Sequence, residues 1–551
     1  MRLFLCGMVV LSVASAAENG RTAEGNWVGG AQVTGKYVFL RGRIETKDGK
    51  SSAVIDAPLR SHSASTEVLR VGKTVSFGLP IDGNSLQLKG LVEAERITGS
   101  VARADGTKVG DAVLRRWTPV DSKILSLYSG DYNVGDSRMI TIQGGRFGLY
   151  YYDSGTGTYG IAYPSSSTEF FLGPAALHFD RVASRISFIT DAAGRVLEVR
   201  LRDGHSSPLK GLPTKEFRTA DVVVPNGDIR LSATVRVPQT DNRHVGVVLI
   251  HGSGPQDRNG FNGGLRIHAD ELARRGITVL TYDKRGVGSS SGDFDKSTYE
   301  ELKADALSMV RYLRARSDLG LTRVGVWGIS QGGQLAPMVA AAEPSIGFVA
   351  NTSGTVTNPE EQEIYRTIAQ LRAEGLDEAT VRDGTTLQIL KFYYARTGIG
   401  WQGYQEYYQR YHNAVWFEEI IGSPPTKEGT AWAFWRAINV IEPSEFWRQV
   451  PVPSLVIFGG RDRLSPVERS IALFRQAMAR AGNQRVEVKL FPEATHDMHE
   501  DPTGQINQMT DIQRYQPGYF DLLSNWIIGA AAPEANRLGT GESPGSLRQP
   551  R

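Results

Sequence analysis

Cysteine is almost missing from this chain: 551 residues contain one, Cys6. It sits in an apolar N-terminal stretch, Leu3-Phe4-Leu5-Cys6-Gly7, which is not the context of a lipid-modified cysteine. A disulfide framework is therefore excluded, and so is a cysteine-built metal site. Charge of one sign is missing too. Lys+Arg number 62 and Asp+Glu 59, with no basic block and no acidic tail, so nothing recruits nucleic acid. After the N-terminus no segment reaches the about 20 apolar residues of a membrane-spanning helix, and no transmembrane segment is expected. Histidine is scarce, nine in all, so any histidine that the chemistry requires has few candidates.

What is present begins with an export signal. Arg2 precedes the apolar run Leu3–Val13, and Ala14-Ser15-Ala16 has the small residues of a cleavage site. Residues 1–16 are expected to be a cleavable signal peptide, giving a periplasmic or secreted product. The rest is too long for one ordinary domain. As far as residue 216, short Val/Ile/Phe/Tyr/Thr runs alternate with turns such as Asp48-Gly49, Asp82-Gly83 and Asp105-Gly106. Gly35–Ile44, Ser137–Ile142 and Arg195–Leu201 are examples of the runs. The pattern predicts antiparallel sandwiches or barrels in two modules, 25–120 and 121–216, with a break near Pro119–Lys123. His62, His178 and His205 are isolated here and read as surface or packing residues.

From Phe217 the rhythm changes, and apolar runs alternate with helical segments, as in a mostly parallel sheet with flanking helices. Expected strands are Val245–Ile250, Thr278–Tyr282, Val324–Trp327, Gly347–Asn351, Ser454–Phe458 and Val486–Phe491. Leu265–Arg275 and Tyr299–Ser317 read as helices. Residues 358–445 interrupt the alternation with helices rich in Tyr and Trp, read as a cap that lines an apolar substrate pocket. The catalytic domain is expected over 217–531, and the Gly/Pro/Ser/Glu-rich tail 532–551 is expected to be disordered.

The chemistry starts at Gly328-Ile329-Ser330-Gln331-Gly332, between an apolar run and a helix-compatible one. That is the strand–turn–helix context of a nucleophile elbow, with Ser330 as nucleophile. A serine hydroxyl needs a base, and the base needs an orienting acid. Around such an elbow they follow in the order Ser, Asp/Glu, His. Only His496 and His499 lie beyond the last strand, since His412 falls in the cap. Between Ser330 and His496 the aspartates are Asp377, Asp383 and Asp462, and the first two fall in the cap. Asp462 follows a strand end, where α/β sheets place functional groups, and is taken as the acid. His496 is nearer than His499 to the end of Val486–Phe491 and is preferred as the base.

An oxyanion needs preorganised N–H donors. Gln331, after the nucleophile, supplies one. The second comes from the loop His251-Gly-Ser-Gly-Pro-Gln256, where Ser253 is chosen with Gly252 flanking it and His251 bracing. The run His496-Asp-Met-His-Glu-Asp501 lacks a metal-ligand spacing, so no metal and no cofactor is expected. Asp283-Lys-Arg-Gly-Val-Gly-Ser289 lacks the phosphate-loop pattern and reads as a structural turn.

Together these segments resemble the α/β-hydrolase superfamily, and within it bacterial carboxylesterases and the serine-aminopeptidase-like branch. The resemblance covers roughly Phe217–Ala531; Ile329 departs from it, standing where many relatives carry His. The N-terminal region loosely resembles small lipocalin-like modules attached to secreted hydrolases. The resemblance implies ester hydrolysis through an acyl-enzyme on Ser330, Asp462 and His496, acting on a small-molecule ester. One alternative is a peptidase for short peptides or amides, with Glu361, Glu363, Glu418 or Glu419 clamping a free amine. Another is a catalytically inert secreted protein that binds glycan or envelope polymer.

Overall fold

The computed structural model describes residues 23–531 except 35, 58–61, 82–83, 136–137, 146, 174–183, 204–208, 415, 423–425, 439 and 502–511. The expected signal segment 1–16 and the tail 532–551 lie outside the described residues. The chain divides into two compact units. One comprises Met1–Pro213 with Asn413–Glu419 and Gln505–Gln513; the other comprises Thr214–His412, Ile420–Gly504 and Arg514–Arg551. Among the described residues no helix is long and apolar enough to cross a membrane.

The N-terminal region is all-β. Its first sheet is antiparallel, with His62–Glu67 and Leu69–Val71 as its two edges, and its first and last strands in sequence, Gly25–Val33 and Lys108–Trp117, pair at its centre with Trp27 opposite Arg116. Alternate residues point inward and form a core that includes Trp27, Leu40, Ile55, Phe77, Leu88 and Ile97. A helical turn, Ser122–Leu127, separates it from the second meander, Gly130–Asn133 to Leu209–Thr214. There each strand pairs with the next and the last with the first, so the sheet closes into a barrel. Tyr132, Ile140, Leu149, Phe170, Phe188 and Val199 belong to the side chains that fill it.

The second unit is built on one sheet. Its strands are β1 (Phe217–Asn226), β2 (Ile229–Pro238), β3 (Val245–Ile250), β4 (Ile277–Tyr282), β5 (Arg323–Ile329), β6 (Val349–Thr352), β7 (Ser454–Gly459) and β8 (Val486–Phe491). Their spatial order is β1-β2-β4-β3-β5-β6-β7-β8. The β1–β2 hairpin is antiparallel, β2 runs antiparallel to β4, and every later pair is parallel. Every residue of β3, β4 and β7 is buried, which is why their sequences are continuous apolar runs rather than alternating ones.

Helices cover both faces. α1 (Gly264–Arg274) and α10 (Tyr519–Ala531) pack together on one; α2 (Tyr299–Ala315), α3 (Gln331–Ala342), α8 (Pro443–Trp447) and α9 (Val467–Arg480) pack on the other. α2 starts at a capping box between Thr298 and Glu301, which satisfies its first amides. Between β6 and α8 lie the inserted helices α4 (Pro359–Ala373), α5 (Glu378–Thr397), α6 (Trp401–Tyr411) and α7 (Thr430–Ile438). Several of the aromatic residues of this insertion cluster together. Among Tyr394, Trp401, Tyr404 and Trp432, contacting rings have centroids 4.7–6.2 Å apart. Tyr404 and Trp432 are almost wholly buried. These rings pack on one another inside the insertion, and their area adds to its own core.

Candidate active site

β5 ends and α3 begins around a single residue, Ser330, at φ 55 and ψ −118. That region is costly for a residue with a Cβ, on the order of 1–3 kcal/mol, and persists only where the surroundings impose it. They do so here through close contacts. A Cβ on Gly328 would stand 2.0 Å from Gly332 O, and one on Gly332 would stand 2.1 Å from Ile250 O. Ser330 N–H donates to Thr352 O at 3.0 Å, tying the turn to the neighbouring strand β6. The serine is left half-buried at the C-terminal end of the sheet.

Asp462 lies in the loop after β7 and His496 in the loop after β8. A Cβ on Gly459 would stand 2.3 Å from Ala494 O, and one on Gly460 would stand 2.4 Å from Pro492 O. These bare backbones let the two loops touch, and His496 Nδ1 comes within 2.8 Å of Asp462 Oδ2. The other carboxylate oxygen, Oδ1, accepts from Leu464 N at 2.7 Å and Ser465 N at 3.0 Å, so the acid is held from both ends. Both side chains are buried. Burial pushes the imidazole pKa down, but the Asp462 carboxylate beside it outweighs that effect and raises it from 6.5 to about 9. With Nδ1–H donating to the carboxylate, Nε2 is the nitrogen left to accept a proton.

The other candidates have different partners. The His499 ring packs on Tyr515 at 4.6 Å, and its backbone N–H donates to Thr495 Oγ1. Asp377 caps α5 by accepting from Thr380 N, and Asp383 pairs with Arg410. His251 is fully buried, edge-on to Tyr282 at 4.8 Å; burial lowers its pKa to about 3, so it stays neutral. The inserted helices reach the acid loop: Tyr365 OH donates to Asp462 O at 3.4 Å, and Gln362 Nε2 to Leu464 O at 3.4 Å.

The two expected oxyanion segments also meet the serine. Gln331 is the first residue of α3, where helix N–H groups are unpaired. Gly252 lies so near that a Cβ on it would stand 3.6 Å from Ser330 Cβ. Sequence reasoning missed Lys284, whose Nζ donates to Gly252 O, Gly254 O and Gln331 Oε1 at 2.6, 2.9 and 3.0 Å. Its one local signal is a lysine two residues after a fully buried strand.

Comparison with known proteins agrees with this architecture. Residues 247–508 match the Alpha/beta hydrolase family. Esterase EstD of Thermotoga maritima is 25% identical over 364 residues, covering 64% of this chain and 78% of that protein. A Pyrococcus furiosus esterase structure is 18% identical, with 57% of this chain and 92% of that chain covered at a TM-score of 0.38. A proline iminopeptidase from Mycobacterium smegmatis is 15% identical, with 57% and 99% covered at 0.36. A mostly parallel sheet in the order 1-2-4-3-5-6-7-8, a serine on the turn after its fifth strand and the family match over 247–508 identify the C-terminal part of this chain as an α/β-hydrolase domain.

Proposed function

We propose that the chain hydrolyses carboxylic esters of small molecules through an acyl-enzyme on Ser330. His496 Nε2 takes the serine proton as Oγ attacks the carbonyl and returns it to the leaving alcohol. Water then enters by the same route and releases the acid. Asp462 holds the imidazole in the required tautomer and stabilises the imidazolium. The N–H groups of Gln331 and Ser253, with Gly252 beside them, stabilise the oxyanion. The observation that carries this reading is the buried Asp462–His496 pair, set at two adjacent strand ends of the sheet whose elbow strains Ser330. Strain at one residue together with a buried charged pair is an arrangement that folding alone does not reward. For the same reason an inert glycan- or envelope-binding role is disfavoured.

Ester is preferred over peptide for two reasons. EstD, the relative matched over most of its length, is named an esterase. The carboxylates that a free amine would need are also engaged: Glu363 with Arg366 at 2.7 Å and Glu361 with Arg469 at 3.2 Å. The side chains of Glu418 and Glu419 are outside those described. The test sets p-nitrophenyl esters of short acids beside amino-acid p-nitroanilides. At least about tenfold higher kcat/KM on the esters, worth about 1.4 kcal/mol at the transition state, is expected. A preference for the anilides replaces the ester reading with the peptidase one.

Export belongs to the same proposal. Protein recovered from the periplasm or medium should begin at Ala17, read by N-terminal sequencing. Material that keeps Met1 and stays inside the cell would remove the signal peptide from the account.

A further inference from the structure

Lys284 is only 2% exposed, and the proposed reaction gives it nothing to do. A buried ammonium is costly unless its N–H groups are all bonded. Here there are three acceptors for three N–H groups: Gly252 O at 2.6 Å, Gly254 O at 2.9 Å and Gln331 Oε1 at 3.0 Å. Burial lowers the Lys284 pKa from 10.5 to about 7; the three acceptors oppose loss of the proton, because a neutral amine has only two N–H groups and would leave one acceptor unbonded. The acceptors belong to two segments distant in sequence, the loop after β3 and the first residue of α3. These are the segments whose amides are proposed to bind the oxyanion.

Peptide geometry adds a direction. In a trans peptide the C=O and the next N–H point to opposite sides. Aiming Gly252 C=O at the ammonium therefore turns Ser253 N–H away from Lys284. Gly254 C=O precedes Pro255, which has no N–H, so its bond is purely an anchor for the loop. Ser253 C=O is fixed separately, accepting from Gln256 Nε2 at 2.6 Å. The next peptide plane is thus held as well. Around the ammonium stands the ring of Phe294, 5.3 Å from Nζ to its centroid.

We infer that Lys284 is a positioning residue of the oxyanion site, its ammonium locking the Gly252–Ser253 peptide and Gln331 in one arrangement before substrate arrives. The inference rests on the proposed serine mechanism. It assigns Lys284 an effect that appears in the transition state and not in substrate binding. Removing one direct oxyanion donor costs about 10²–10³ in kcat, and releasing a donor's support should cost about 10–100-fold.

The test is Lys284→Met, which keeps the apolar stem and removes every donor. Active sites are first titrated with a fluorophosphonate, so that kcat refers to competent enzyme. Expected results are a fall in kcat of about 10–100-fold, KM within about twofold, and weaker inhibition by a trifluoromethyl ketone, by the factor that kcat/KM loses. The ketone forms a tetrahedral oxyanion on a serine, whereas ground-state binding does not call on the site. Gln331→Met removes one acceptor but keeps the backbone N–H. It should lower kcat less, and should add little in the Lys284→Met background. If Lys284→Met is not obtained folded, Gln331→Met decides: unchanged kcat and unchanged ketone affinity overturn the inference. So does Lys284→Met with kcat intact, or with a loss confined to KM. Wild-type protein that takes no fluorophosphonate at Ser330 refutes the serine mechanism itself, an outcome distinct from a labelled enzyme indifferent to Lys284.

Discussion

Ser330→Ala is expected to lower kcat on p-nitrophenyl esters by on the order of 10⁵–10⁶-fold, while the melting temperature barely moves. The first effect follows from the loss of the atom proposed to form the acyl bond; what would remain is turnover supported by the proposed oxyanion amides and substrate binding. The second follows from the backbone. Alanine keeps a Cβ at φ 55, so it inherits the strain of the elbow and its bond to Thr352 O. A change within about 0.5 kcal/mol is therefore expected. Ser330→Gly should separate strain from chemistry. It would be as inactive as alanine but more stable by about 1 kcal/mol, because glycine adopts a positive φ without cost. Calorimetry beside steady-state rates reads both. Fluorophosphonate labelling that persists in Ser330→Ala would remove this serine from the mechanism.

Much of the catalytic unit was legible because burial on both faces of a parallel sheet leaves a strong trace. β3, β4 and β7 appear as unbroken apolar runs, and helices separate them at regular spacing. The hairpin ahead of them was not picked out. β1 has an exposed outer side, with only Phe217 and Val224 fully buried, so its sequence resembles the preceding β region. The usable signal was Gly227-Asp228 between two valine-containing runs, a two-residue hairpin loop whose first residue, Gly227, has φ 58. In the N-terminal region the strands could be read, but the choice between sandwich and barrel could not. Alternation is the same in both; closure depends on the pairing of the first and last strands, far apart in sequence.

At the site, chain order singled out Ser330, Asp462 and His496 with few alternatives, and the structure brings the last two into direct contact. Lys284 escaped because its importance lies in three acceptors, 30, 32 and 47 residues away in the chain. Its own neighbours, a Gly-rich turn, look merely structural. The inserted aromatics were ambiguous for a related reason. Ring content and helical spacing are the same whether a stripe faces a substrate or faces another stripe. Only packing separates the two cases.

Asp462→Asn should cost about 10⁴ in kcat, by tautomer and not by position. Leu464 N and Ser465 N can still donate to the remaining oxygen, so the loop keeps its place. The new amide, though, presents an NH₂ to His496 Nδ1. The imidazole then carries its proton on Nε2 and cannot accept another from the serine. The pH dependence should report the same change. In the wild type the Asp462 charge holds the imidazole pKa at about 9, and in the proposed mechanism the neutral imidazole is the active form. kcat/KM should fall as pH drops below about 9, well above the ordinary histidine value of 6.5. Stability has the opposite sign. The folded protein favours the charged imidazole, so this contribution is full below 6.5 and is lost as pH rises through about 9. Between those values activity should rise while Tm falls. In Asp462→Asn burial is opposed only by the Asp497 charge, the smallest of the influences on the ring, so the acid limb should move down towards 6.5 or below and the Tm trend should weaken. Rates and melting curves from about pH 5 to about pH 10 test both, across the range in which a histidine changes charge. A wild-type limb at or below 6.5, or a variant within tenfold of wild type, would separate Asp462 from the working histidine.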